Sequence, residues 1–265
     1  MSESKFTILR EDGKNSDPNK KNLVVNAAVC DARKVSEETL GAYDSVTINA
    51  ASVITTKSAR EILHRYNVVM NAADVTDIPE DADLVVHNGS YTIAAGSEGN
   101  DARPAALVVN GKLTVEKGAE AALSRFISIQ VNGKAVYPRS MERLMGTLKV
   151  NGASEVYPDD AVLLKNTFVV DRVFILRAKG GKYYAKKRVI LTTPGLDVSA
   201  LAAKGVSFIT EKAVIAEPLL EAALPLFSEE TEVVAVPEGC VFIGDDAELT
   251  EGLISKNGGK LYING

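Results

Sequence analysis

A short apolar-alternating run ending in Asn, followed by Ala or Gly, recurs seven times in the first 152 residues, and no other feature restricts the fold as tightly. The copies are LVVNA, VTINA, VVMNA, VVHNG, LVVNG, IQVNG and LKVNG, with their asparagines at 26, 49, 71, 88, 110, 132 and 151. An eighth, LYING, ends the sequence. Successive asparagines lie 23, 22, 17, 22, 22 and 19 residues apart. A period near 20 with one strand per copy is the mark of a repeat array whose units cannot bury their apolar face alone.

Side chains alternate along a strand, so the positions three and one before each Asn share a face. These columns are Leu23/Val25, Val46/Ile48, Val68/Met70, Val85/His87, Leu107/Val109, Ile129/Val131 and Leu148/Val150, apolar except at His87. That face is the inner one, and parallel stacking follows from one strand per repeat. Each Asn is expected to end its strand in a turn, where a left-handed backbone suits it and its amide reaches neighbouring main chain. Between the strands lie helical signals: Ser36–Leu40, a capping-box spacing at Ser58–Glu61, the run 116–126 and the run 139–146.

Strand-then-helix repeats of roughly 20 to 29 residues resemble the leucine-rich-repeat class. The resemblance covers period and strand–helix alternation but not the consensus, which would place an Asn where this sequence has Ala51, Ala73, Lys112, Lys134 and Ser154. It implies an α/β repeat solenoid with one parallel strand plus a turn or short helix per repeat. A right-handed parallel β-helix, whose corners also favour Asn ladders, is the competing architecture.

The pattern breaks at VFILRAKGGKYYAKKRVIL, where two β-prone runs flank Gly180-Gly181 and predict a hairpin. The expected organisation is an N-terminal cap and loop (1–20), a repeat array (21–164), a basic β-hairpin insertion (165–190) and less regular repeats (191–265) in one continuous stack. Leu191, Ile209, Val236 and Ile263 would continue the inner column. At the last strand Leu261 and Ile263 should face inward and Tyr262 outward, with the strand covered either by the preceding CVFIG segment or by a second copy in a homodimer.

The chain has 265 residues, a formal charge of −5 and 46% hydrophobic residues, a balance that disfavours general nucleic-acid binding and any membrane span. No signal-peptide core is visible at the N-terminus, which makes the cytoplasm the default compartment. Cys30 and Cys240 form no metal or disulfide pattern. Phosphate-loop, dinucleotide, GxSxG and HExxH motifs are missing, and no cofactor or metal is expected. His64 reads as a surface residue on a helix. Carboxylates cluster at Asp74–Asp83 and Gly244–Glu251 without calcium-loop spacing, as solvated loops would.

Two surfaces stand out. Alternation puts Val69, Leu84, Val86, Val108, Gln130 and Lys149 on the outer strand face, an apolar strip with polar ends that should be covered by a partner, a second copy or the hairpin. Between 165 and 190 there are eight cations and one carboxylate, Asp171. Arg177, Lys179, Lys182, Lys186 and Lys187, with Tyr183 and Tyr184 between them, could grip phosphates and stack bases at a hairpin tip. The expected activity is non-catalytic: a binding or scaffold solenoid recognising a macromolecule, a protein before a nucleic acid. The alternatives are a polysaccharide-acting enzyme on a β-helix-like frame, which needs carboxylates converging on one face, and anionic-partner binding through the hairpin.

Overall fold

In a computed structural model the chain is mostly parallel strands in several small open sheets, with few helices. Residues 21–97, 103–244, 250–256, 258 and 260–263 are described. The expected cap at 1–20, most of the second acidic cluster and the Asn-Gly of the eighth repeat copy lie outside them. Two compact units divide the chain, Met1–Val156 and Tyr157–Gly265.

The first unit holds seven strands: β1 (Asn22–Asp31), β2 (Ser45–Thr55), β3 (Val69–Asp77), β4 (Asp83–Ile93), β5 (Ala105–Val115), β6 (Phe126–Pro138) and β7 (Leu148–Tyr157, whose last residue begins the second unit). They form two sheets, β1-β2-β3 and β4-β5-β6-β7. The registers are those the repeats require. Asn26 pairs with Asn49 and Asn49 with Asn71; Asn88 pairs with Asn110 and Asn110 with Asn132.

The strands do not end at Asn. Each continues around a corner for several residues, and both segments line one core: Val46, Ile48 and Val53 in the first sheet, Leu107, Val109, Leu113 and Val115 in the second. The asparagines are not left-handed; among the described residues the only non-glycine with positive φ is Asn67. In the second sheet the following glycine turns the corner instead, at φ +143° for Gly111 and +145° for Gly133. In the first sheet the corner is Asn-Ala-Ala, and the ladder steps over Ala28, Ala51 and Ala73 before resuming at Val29, Ser52 and Asp74.

Short helices close the open side of the first core. Ser36 caps α1 (Glu37–Gly41), which buries Leu40. The cap of α2 (Lys57–Arg65) is Thr56, two residues ahead of the expected Ser58, whose hydroxyl instead donates to Glu80 (2.6 Å). Ala59 and Leu63, four apart and so on one helix face, are its buried residues. Beside the second core lie α3 (Glu120–Ser124), where the 116–126 run predicts a helix, and a 3₁₀ segment at Arg139–Thr147.

The expected continuous stack does not form, because the second sheet lies beside the first. Lys149 of β7 donates to Asp74 of β3 at 3.0 Å, and Asn132 of β6 lies 3.4 Å from the Ser52 hydroxyl of β2. In one continuous stack β3 and β7 would stand about 19 Å apart, well beyond a lysine's reach. At the other end Arg33, just past β1, donates to the Ala82 carbonyl just before β4 (2.8 Å). An apolar seam of Ile54, Ile78, Ala82, Ala106 and Val108, with Val29 and Leu84 packed on it, joins the two sheets.

Among its described residues the second unit has nine shorter strands. These are β8 (Ala161–Leu163), β9 (Thr167–Val169), β10 (Gly181–Tyr184), β11 (Arg188–Leu191), β12 (Val206–Ile209), β13 (Lys212–Ala216), β14 (Glu232–Val236), β15 (Val241–Ile243) and β16 (Leu261–Ile263). The sheets run β12-β10-β8, β14-β13-β11-β9 and β15-β16, with parallel pairing. The hairpin expected at 165–190 is therefore absent. Its first arm is a helix, α4 (Arg172–Arg177), because the Asp171 carboxylate caps the Phe174 N–H (2.7 Å) and overrides the β-propensity of Val173 to Ile175. Its second arm contributes β10 and β11 to different sheets.

The proposed inner column is also corrected: Leu191 pairs with Ile215, Ile209 with Tyr184, and Val236 with Ala216. Its members belong to different sheets: Ile209 to β12-β10-β8, Leu191 and Val236 to β14-β13-β11-β9, and Ile263 to β15-β16. At the last strand Ile263 is exposed, while Tyr262 packs with Phe242 against Ile190 and Val214. The facing is thus the reverse of that expected, and β15, from the CVFIG segment, pairs with β16.

Candidate binding surfaces

The side-by-side sheets divide the six outer-face residues. Val108 (1% exposed) and Gln130 (2%) are buried at the seam, Leu84 is half-buried there, and Lys149 sits at its edge on Asp74 and Thr76. The cover expected from a partner or hairpin is supplied by the unit's own first sheet. Val69 (53%), Val86 (45%) and the Lys149 side chain remain exposed. Gln130 takes the place of an apolar residue beside Val108 yet neither its carbonyl nor its amide nitrogen has a partner, which leaves a desolvated amide at the seam.

On the outer side of the first sheet before its corner Val24 and Val69 are exposed and Thr47 is half-buried. Val24, Thr47 and Val69 are in register across the sheet, next to the row Asn26, Asn49 and Asn71. Each asparagine amide donates to the carbonyl of the same residue one strand earlier, at 2.8 Å for Asn49 to Asn26 and for Asn71 to Asn49. In the second sheet Asn110, Asn132 and Asn151 repeat this at 2.8, 2.8 and 2.9 Å. The result is a flat strip pairing an apolar row with a row of amides held in fixed orientation.

The basic set is not gathered at a tip. Arg177 and Lys179 are exposed at the end of α4; Lys186 and Lys187 lie at the corner between β10 and β11, Lys186 half-buried. Lys182 is paired with Asp160 (2.6 Å), and that hydrogen bond holds the Asp160 carboxyl below its ordinary range. Tyr183 is in the core, against Phe174 and Phe208, with its hydroxyl donating to the Lys179 carbonyl (3.0 Å). Tyr184 stacks on Tyr157. The base-stacking role expected of the two tyrosines lacks an exposed ring at Tyr183.

Of the Asp74–Asp83 carboxylates, Asp74, Asp77, Glu80 and Asp83 are engaged separately. Asp77 would be raised by its partial burial, but hydrogen bonds from the Thr55 hydroxyl and the Arg60 guanidinium hold it below the usual value. Asp83 faces Arg103 and Arg125. Among the described residues no three His, Cys, Asp or Glu side chains are placed to hold a metal ion, and no helix is long and apolar enough to cross a membrane. His64 is exposed on α2, and His87 keeps the inner column, half-buried, with its ring 5.2 Å from Tyr91.

One feature escaped the sequence. At the β1 end of the first core, a cleft of about 300 Å³ opens between the inner side chains of β1 and the turn carrying α1. Leu23, Val25, Ile48, Leu40 and Leu63 form most of its wall, and Lys34 is its one charged lining residue. A usable signal was present: among the described residues β1 is the first strand of its sheet, so Leu23 and Val25 are paired on one side only, with Val46 and Ile48. No family model, curated protein or solved structure matches the chain.

Proposed function

We propose that this is a non-catalytic binding protein, a leucine-rich-repeat-like solenoid in kind, that engages a protein partner through the open outer face of β1–β3. The observation that carries the reading is the register-matched row of exposed Val24 and Val69 with half-buried Thr47 between them, beside the Asn26–Asn49–Asn71 ladder. Apolar groups on a rigid parallel sheet offer contact area at little entropic cost, and oriented amides add direction. Within the same unit the homologous outer face of the second sheet already serves as a docking surface, for the first sheet. The in-register Asn ladders support the repeat reading.

The test is a display screen with the full chain, followed by surface plasmon resonance on each purified hit. Replacing Val24 and Val69 by Asp should weaken a true partner at least tenfold, with circular dichroism unchanged, while Lys179→Gln with Lys187→Gln should leave it intact. Binding that ignores the valines but falls with the lysines and with salt would replace this reading by the anionic one.

A further inference from the structure

We infer that the cleft at the β1 end of the first core is a binding site for a medium-chain aliphatic carboxylate, its hydrocarbon against Leu23, Leu40 and Leu63 and its head group at Lys34. This is a second site, independent of the outer sheet face. The cleft's volume of about 300 Å³ stands at the small end of ligand pockets, which run from roughly 300 to 1,000 Å³, so it suits one short chain and excludes a large ring system. Its wall is aliphatic, and the few polar groups on it are Lys34, Thr39, Tyr43 and the buried thiol of Cys30. A peptide would bring a donor and an acceptor per residue into this wall, and most would go unpaired. An alkyl chain brings none.

Charge selects the head group. Lys34 is exposed at the cleft and has no carboxylate partner among the described residues. The carboxylates three positions to either side are already taken, Asp31 by Arg33 (2.8 Å) and Glu37 by Arg65. Lys34 is thus the uncompensated charge of the site, and it is positive. The thiol of Cys30 is pushed up by burial and by the adjacent Asp31, so at neutral pH it is uncharged and offers no repulsion.

Calorimetry on the full chain with hexanoate, octanoate and decanoate below their micellar concentrations should show saturable uptake that tightens about fourfold per added methylene. Decanoate should shift the methyl resonances of Leu23, Val25, Leu40 and Leu63 and leave those of Leu191 and Leu201, in the second unit, in place. Decyltrimethylammonium should bind at least tenfold more weakly than decanoate, and Lys34→Gln should remove that preference while keeping the chain-length dependence. Equal affinity for the C6 and C10 acids would overturn the proposal, as would equal affinity for the two head groups in the unmodified protein. A dimer in sedimentation velocity with no decanoate uptake would assign the cleft to a second copy and overturn it too.

Discussion

The two sheets of the first unit solve the same corner in two ways. In β4–β7 the corner is Asn-Gly, the glycine takes a positive φ, and inner positions keep one parity throughout, from Leu107 through Leu113 to Val115. In β1–β3 the corner is Asn-Ala-Ala, the ladder steps over one alanine, and the inner parity shifts from Ile48 to Val53. One extra residue replaces one special backbone conformation. The difference teaches that the shared constraint is the asparagine, which stays in register in both, whereas the glycine answers a local problem. A Cβ on Gly111 would lie 2.2 Å from the Gly89 carbonyl oxygen, and one on Gly133 would lie 2.1 Å from that of Gly111.

That comparison breaks most visibly at Gly111. Gly111→Ala combines a backbone clash with an unfavourable φ and should cost about 3 kcal/mol or more in urea unfolding. Gly89, first in its stack, has nothing within 4 Å of the added carbon; Gly89→Ala should cost only about 1 kcal/mol, for φ alone. Equal losses at the two positions would show that stacking does not select the glycine.

Next comes the element the sheets share. Asn110 donates to Asn88 and accepts from Asn132, so Asn110→Ala removes two bonds and should cost about 2 kcal/mol. Asn88→Ala, at the end of the row, removes one and should cost about half as much. An Asn49→Ala loss matching that of Asn110→Ala would show that the ladder is worth the same with either corner, while a much smaller one would tie its strength to Asn-Gly.

The smallest effect lies where the sheets meet. Gln130→Met keeps length and removes an unpartnered buried amide, so stability should rise by about 1 kcal/mol. A loss instead would mean that the amide makes a bond that holds the seam.

The asparagines and the apolar columns were legible because period-two alternation and a fixed repeat act locally along each strand. They gave the strand pairing, its parallel sense and its register. What followed each Asn was hidden: Asn-Gly signals a turn, and only the stacked neighbour keeps Gly111 and Lys112 in the ladder. The side-by-side placement was hidden for a different reason. It rests on contacts such as Lys149 with Asp74, 75 positions apart, for which a single sequence carries no pattern. Misreading Val173 to Ile175 as a strand came from weighing propensity above the Asp171 cap, and placing Tyr183 at an exposed tip followed from that error. Of the candidate surface, Val69 and Val86 keep their exposure, while Val108 and Gln130 were assigned to the right side of the strand without the layer that covers it.

The asparagine rows also have a sign. In each, the amide of the later strand donates and the earlier one accepts, without exception from Asn26 to Asn71 and from Asn88 to Asn151. Aligned amide dipoles reinforce one another, and because β1 lies beside β4 and β3 beside β7, the two rows point the same way. Their polarisation adds instead of cancelling. The two ends of each row are therefore unlike: Asn71 and Asn151 end it with an amide oxygen that can accept a hydrogen bond, and Asn26 and Asn88 begin it with an amide nitrogen that can donate one.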